Sequence, residues 1–177
     1  MVSDPRPLSF RAAIHSDANR IADLVNAAYR GLSGELGWTH EANIFDGPRT
    51  DANSLARLIA AENSLILLCM REFEITGSMH LEKIDGGAYL GLLAVRPAFQ
   101  GTGMGRQLMA EAERVVRERW GSEKISMTVI SLRTELIEYY ERRGYHRTGK
   151  IEPLAVDAGA GQPKSAGLQL AWLEKRI

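Results

Sequence analysis

The chemistry most legible in this chain sits in seven residues, Gln100-Gly101-Thr102-Gly103-Met104-Gly105-Arg106. An apolar run, Tyr89-Leu90-Gly91-Leu92-Leu93-Ala94-Val95, leads into them, and a helical pattern opening with Gln107-Leu108-Met109 leads out. A strand, a glycine-rich turn and a helix start are expected in that order. Such a turn presents backbone N–H groups and the positive end of a helix dipole to an anion. Alternate glycines remove the side chains that would keep a phosphate away. Two common nucleotide loops are excluded by spacing. A P-loop has four residues between its glycines and then Lys-Ser or Lys-Thr. Here Gly101 and Gly105 enclose three, and Arg106-Gln107 follows. A dinucleotide fingerprint read from Gly101 or Gly103 needs its third glycine where Arg106 or Leu108 stands. The physical expectation is a diphosphate-binding turn of another kind.

The elements that must hold this turn follow from periodicity. Residues 8–14 alternate as a strand. Ser16 or Asp17 can cap a helix whose stripe is Ile21, Leu24, Val25, Ala28 and Tyr29. Three glycines around Trp38 break that helix, and Asp51 or Asn53 can start the next, through Leu55, Leu58 and Ile59. Residues 65–70 read as a buried strand, and a reversal near Glu72-Phe73-Glu74 leads to a second strand over 75–81. Asp85-Gly86-Gly87 is a hairpin turn into the strand that precedes the loop. After the loop, Leu108, Met109, Ala112, Val115 and Val116 mark a helix ending at Gly121. Residues 124–130 form a strand, and Leu136, Ile137 and Tyr140 mark a helix closed by Gly144. Tyr145 begins an extended segment, residues 155–167 read as loop, and 168–173 as a closing strand. The order β-α-α-β-β-β-α-β-α-β-β predicts an α/β chain with a central mixed β-sheet flanked by helices.

Composition narrows the class. The 177 residues suit one domain, residues 1–177, with a substantial core. A formal net charge of zero gives no field that favours nucleic acid or an anionic membrane. A single cysteine, Cys69, allows no internal disulfide and argues against a thiolate metal site; it reads as a buried core thiol. The first residues show no apolar signal core, and no apolar run nears the ~20 residues of a membrane span. A cytoplasmic location and no metal are expected, and a homodimer is the default oligomer.

The pattern Gln-x-x-Gly-x-Gly with Val-x-Pro before it resembles the acyl-CoA pyrophosphate loop of the GNAT superfamily of N-acetyltransferases. The element order resembles the GNAT fold as well, so the resemblance covers nearly the whole chain. Residues 135–145, ending Tyr139-Tyr140-Glu141-Arg142-Arg143-Gly144-Tyr145, resemble that superfamily's Leu-Tyr-Glu-x-x-Gly-Phe signature. The resemblance implies transfer of an acetyl group from acetyl-CoA to the primary amine of a small molecule or peptide. It implies that Leu93, Ala94 and Val95 pair with the pantetheine arm, one of their N–H groups also facing the oxyanion. The loop Gln100, Gly101, Thr102, Gly103, Met104, Gly105 and Arg106 would then take the diphosphate. Tyr140 aligns with the tyrosine that protonates the leaving thiolate, with Tyr139 as a backup donor or packing residue. Arg133 stands where the superfamily often has asparagine, and it could contact phosphate or pantetheine or cap the helix. A GNAT-like acyl-CoA sensor without turnover is the alternative.

An attacking amine must lose a proton, so a base is required. Glu82 and His80 share one strand face by period two and are the better candidates, with Glu82 as an expected catalytic residue and no single base standing out; Glu35, His40 and Glu41 lie in the early loop. Residues 31–45, with Trp38, His40 and Phe45, and residues 155–164 are expected to line the acceptor side.

Overall fold

The computed structural model describes residues 7–31, 40–155 and 161–177. Strand β1 (Leu8–Ala12) enters a short 3-10 turn and then helix α1 (Ala18–Arg30). The Asp17 carboxylate does not cap α1. It turns back to accept from Ile14 N–H at 2.9 Å and from Arg11 at 2.7 and 2.9 Å. Strand β2 (Phe45–Asp46) is two residues long. Helix α2 (Ala52–Ala60) starts at Asp51, whose carboxylate accepts from Ser54 N–H at 2.7 Å. That bond satisfies one of the orphan donors of a helix start. Strands β3 (Ser64–Arg71), β4 (Glu74–Ile84) and β5 (Gly87–Val95) form a meander with two-residue reversals at 72–73 and 85–86.

Helix α3 (Met104–Trp120) follows β5 and stops at Gly121, which takes the left-handed conformation (φ 61°). Strand β6 (Lys124–Ile130), helix α4 (Thr134–Glu141), strand β7 (His146–Pro153), the two-residue strand β8 (Gln162–Pro163) and strand β9 (Gln169–Arg176) complete the chain. The main sheet has seven strands in the order β1-β3-β4-β5-β6-β9-β7. The expected mixed sheet with flanking helices is borne out. Among the described strands only β5 and β6 run parallel, joined through α3. The expected order of the main elements is also observed. The two additional strands were hidden inside segments read as loop: β2 and β8 pair antiparallel, Phe45 opposite Pro163 and Asp46 opposite Gln162. Gly161 permits that pairing, because a Cβ there would lie 2.2 Å from Asp46 O.

The helices divide between the two faces. Helices α3 and α4 pack Met104, Leu108, Met109, Ala112, Val116, Leu136 and Ile137 against one face of the sheet. Helices α1 and α2 pack Ile21, Leu24, Val25, Ala28, Tyr29 and Leu55 against the other. Cys69 is fully buried with its thiol pushed up by burial, so it is a packing residue.

Candidate active site

The sheet opens where β5 and β6 part. Their parallel pairing covers only Ala88–Leu90 against Ile125–Met127. Just beyond it the register of β4 against β5 shifts between Ser78 and His80, so two residues of β5 face one of β4. Leu92 there adopts φ 47°, a left-handed conformation that costs an ordinary side chain roughly 1–2 kcal/mol. This bulge bends β5 away from β6 and leaves its outer backbone edge without a strand partner.

Which groups face that gap follows from the ladder. Arg96 N–H donates to Thr76 O at 2.9 Å. Alternate residues of an antiparallel pair bond to the same neighbour, so Ala94, opposite Ser78, also turns toward β4. Leu93 and Val95 therefore turn their N–H and C=O groups away from β4. Two side-chain donors meet those carbonyls: Tyr29 Oη reaches Leu93 O at 2.9 Å, and Gln100 Nε2 reaches Val95 O at 2.9 Å. Of the three residues expected to offer backbone to a ligand, Ala94 is engaged inside the sheet.

The loop after β5 is built from backbone. Pro97–Phe99 form one 3-10 turn, Gln100 folds back onto Val95, and Thr102 Oγ1 donates to Phe99 O at 2.7 Å. Gly101 (φ 76°) and Gly103 (φ 88°) are left-handed, and a Cβ on either would meet nothing within 4 Å. Their glycine character is thus explained by backbone conformation and by open space above the loop. Gly103 is the N-cap of α3 with no side-chain cap, and the first helical bond runs from Gln107 N–H to Gly103 O at 3.2 Å. The amides of Met104, Gly105 and Arg106 precede that bond and point out of the helix end. The geometry suits an anionic group lying along the loop. The Met104 side chain is buried in the core, so only its amide serves the loop. Gly105 fits under Tyr139, whose hydroxyl would sit 3.4 Å from a Cβ there. Arg106 is exposed in the first turn.

A cleft of about 660 Å³ opens at the gap, lined from α1, the approach to α2, β4, β5, β6 and α4. Its volume lies within the range of small-molecule sites. Tyr140 lines it from α4, almost fully buried, edge-on to the Tyr139 and Tyr145 rings at 5.4 and 5.9 Å. Burial, reinforced by neighbouring tyrosines including Tyr29, holds the Tyr140 phenol well above its ordinary pKa. It therefore stays protonated through neutral pH. Tyr29 is pushed up to about 12 by the same burial.

The two candidate bases on β4 differ in place. Glu82 is exposed and lies off the cleft, whereas His80 lines it. The reason is the depth of the two positions on β4: His80 packs inside against β3, with Nε2 2.9 Å from Ser64 Oγ, while Glu82 stands near the hairpin end opposite Tyr89. Burial lowers the His80 pKa, so the imidazole is neutral at pH 7. Arg133, expected to touch ligand or cap α4, sits at the N-cap position without a capping bond. Its guanidinium donates to Glu135 at 2.9 Å and lies 3.8 Å from Glu41. Glu41 also holds Arg30 at 3.2 Å, so one carboxylate ties the start of α4 to the end of α1.

On the acceptor side, Phe45, Ala155 and Gly161 line the cleft. Trp38, Glu35 and residues 156–160 lie outside the described residues, and His40 is not part of the lining. Sequence reasoning missed Tyr29 as a polar group, and it missed Asn26, Arg30, Arg49 and Arg57. Asn26 carried a weak signal, a polar residue one position from the apolar stripe of α1. Its Oδ1 accepts from Arg49 N–H at 2.7 Å and Thr50 N–H at 3.3 Å. Among the described residues no group of three or more His, Cys, Asp or Glu could hold a metal ion, and no helix is long and apolar enough to cross a membrane.

The sheet is mixed and splayed at the parallel pair β5–β6, with a glycine loop at the splay and a helix starting from it. A family model described as an acetyltransferase (GNAT) domain matches residues 38–155. The chain is similar to the acetyltransferase Atu2258 of Agrobacterium fabrum, 31% identical over 130 residues, covering 71% of this chain and 84% of that protein. In fold it is similar to an N-acetyltransferase from Staphylococcus aureus, with a TM-score of 0.72 at 13% identity over 96% of this chain and 97% of that one. It is also similar to yncA, a putative acetyltransferase from Salmonella typhimurium solved with acetyl-CoA, with a TM-score of 0.67 at 20% identity over 96% and 94%. The chain belongs to the GNAT acetyltransferase family.

Proposed function

We propose that this chain is an acetyl-CoA-dependent N-acetyltransferase acting on a primary amine by direct attack. The observation that carries the reading is the position of Tyr140: a buried, protonated phenol lining a cleft whose floor is the open edge of β5. The diphosphate lies along Gly101, Gly103 and the amides of Met104, Gly105 and Arg106, with the Arg106 side chain free to add a charge-assisted bond. The pantetheine arm extends along the outward N–H groups of Leu93 and Val95, beside carbonyls already bonded to Tyr29 and Gln100. The thioester then reaches the cleft at the splay.

The neutral amine attacks the thioester carbonyl carbon, a C–N bond forms and the carbonyl oxygen becomes an oxyanion. A Leu93 or Val95 N–H facing the gap donates to that oxyanion. Collapse breaks the C–S bond, and the thiolate takes the Tyr140 proton. The proton lost by the amine nitrogen passes to neutral His80, directly or through water. Solvent restores both groups. The phenol keeps its proton at neutral pH, so a donor is in place when the thiolate, with a reference pKa of about 8.5, departs.

Mass spectrometry of products from an amine panel with acetyl-CoA tests the reading. Wild type is expected to form acetylated amine, and Tyr140→Phe to lose about 10²-fold in kcat with unchanged CoA affinity. A Tyr140→Phe rate equal to wild type would remove Tyr140 as the acid. CoA binding with no product from any amine would favour the sensor reading.

A further inference from the structure

Among the described residues, the acceptor wall of the cleft carries more positive charge than its own acids balance. Arg30, Arg49 and Arg57 line it against one carboxylate among those residues, Glu41. Glu41 is shared between Arg30 and Arg133, so Arg30 is neutralised and the other two are not. Arg49 is fixed by its own backbone. Its N–H is held by Asn26, and its guanidinium lies over the Tyr29 ring, 5.4 Å from the centroid. Among the described residues no carboxylate pairs with Arg49. Arg57, one turn into α2, donates to Ser54 Oγ at 3.0 Å. Asp51 is near enough to feel the Arg57 charge, but its oxygens accept from Ser54 N–H and Oγ–H.

Two guanidiniums with donors to spare thus stand on the side of the cleft opposite α4 and its tyrosine. A ligand with a second cationic group would meet like charge there, at a cost that a desolvated cleft enlarges. A carboxylate or phosphonate would meet planar forks made for bidentate pairing. The aromatic face of Tyr29 under Arg49 keeps that fork flat and oriented before any ligand arrives.

We infer that the amine acetylated by this chain also bears an anionic group, a carboxylate or phosphonate, held by Arg49 with Arg57 beside it. The substrate class is then a small amino acid or aminoalkylphosphonate, and Asn26 acts as a positioning residue through the Arg49 backbone. The inference rests on the acetyltransferase reading above.

The test compares free amino acids, the same compounds as C-terminal amides, aminoalkylphosphonates and putrescine, with wild type, Arg49→Gln, Arg49→Lys and Arg57→Gln. The acids and phosphonates are expected to exceed the matched amides at least about tenfold in kcat/KM. Arg49→Gln should erase that preference by raising KM for the acids far more than KM for the amides, with KM for acetyl-CoA unchanged. Arg49→Lys should restore part of it, and Arg57→Gln should weaken it less. Amides or putrescine used as well as the acids, or a preference untouched in Arg49→Gln, would overturn the inference while leaving the acetyltransferase reading intact. Calorimetric titration of N-acetyl amino acids against their amides, with CoA present, needs no turnover. Binding of the acid form that is lost in Arg49→Gln supports the site, and equal binding of acid and amide overturns it.

Discussion

The loop at residues 100–106, which follows β5, and the cleft wall of Arg30, Glu41, Arg49 and Arg57, with Asn26 and Arg133 bonded to it, are built in opposite ways. The loop is continuous in sequence and works through backbone: two left-handed glycines, an uncapped helix end and amides that precede the first helical bond. The wall is assembled from side chains drawn from positions 26 to 133, held by ion pairs and hydrogen bonds between distant elements. Backbone recognition tolerates little sequence change and reads whatever acyl carrier the loop fits. A side-chain wall can be rewritten one residue at a time, which is where acceptor specificity can diverge within one fold.

The sharpest way to break this contrast is to cut the wall without touching the loop. Glu41→Gln leaves Arg30 and Arg133, each about one-tenth exposed, facing one another without their shared carboxylate. A loss of about 3 kcal/mol in urea unfolding is expected, with CoA affinity retained in the folded fraction. An unfolding midpoint equal to wild type would show that the wall does not depend on this pair. The reverse cut is smaller: Gly103→Val forces a branched side chain to φ 88° and should lower stability by about 1–2 kcal/mol, with KM for the amine unchanged.

The smallest effect appears only at alkaline pH and lies on the wall. Tyr29 titrates at about 12 when folded and near 10 when unfolded. Its contribution is complete below pH 10 and is lost as pH rises from 10 towards 12, because the unfolded chain releases a proton that the folded one keeps. Tyr140 is shifted in the same direction. Unfolding midpoints at pH 8, 9.5 and 11 should therefore be flat between the first two and fall at the third, less steeply in Tyr29→Phe.

Legibility in the sequence follows the same division. The strand, loop and helix around residues 89–116 could be read because apolar periodicity and glycine spacing are local properties of the chain. The Asp51 cap and the stop at Gly121 were readable for the same reason. Arg49 was not, since nothing near it distinguishes an arginine over a tyrosine ring from a solvated one; only the packing of α1 against the approach to α2 does so. The depths of Glu82 and His80 were not legible, because period two gives the face of a strand and not how near a residue lies to its exposed end. The small β2–β8 sheet escaped because two-residue strands leave no periodicity at all.

The central claim is that the glycine loop holds the diphosphate of CoA through its backbone. Calorimetric titration of CoA and of pantetheine, which lacks the diphosphate, into wild type and Gly103→Val tests it directly. The account predicts at least about tenfold tighter binding of CoA than of pantetheine in wild type, and loss of most of that difference in Gly103→Val. Equal affinities for the two ligands in wild type, or a CoA preference that survives in Gly103→Val, would contradict it.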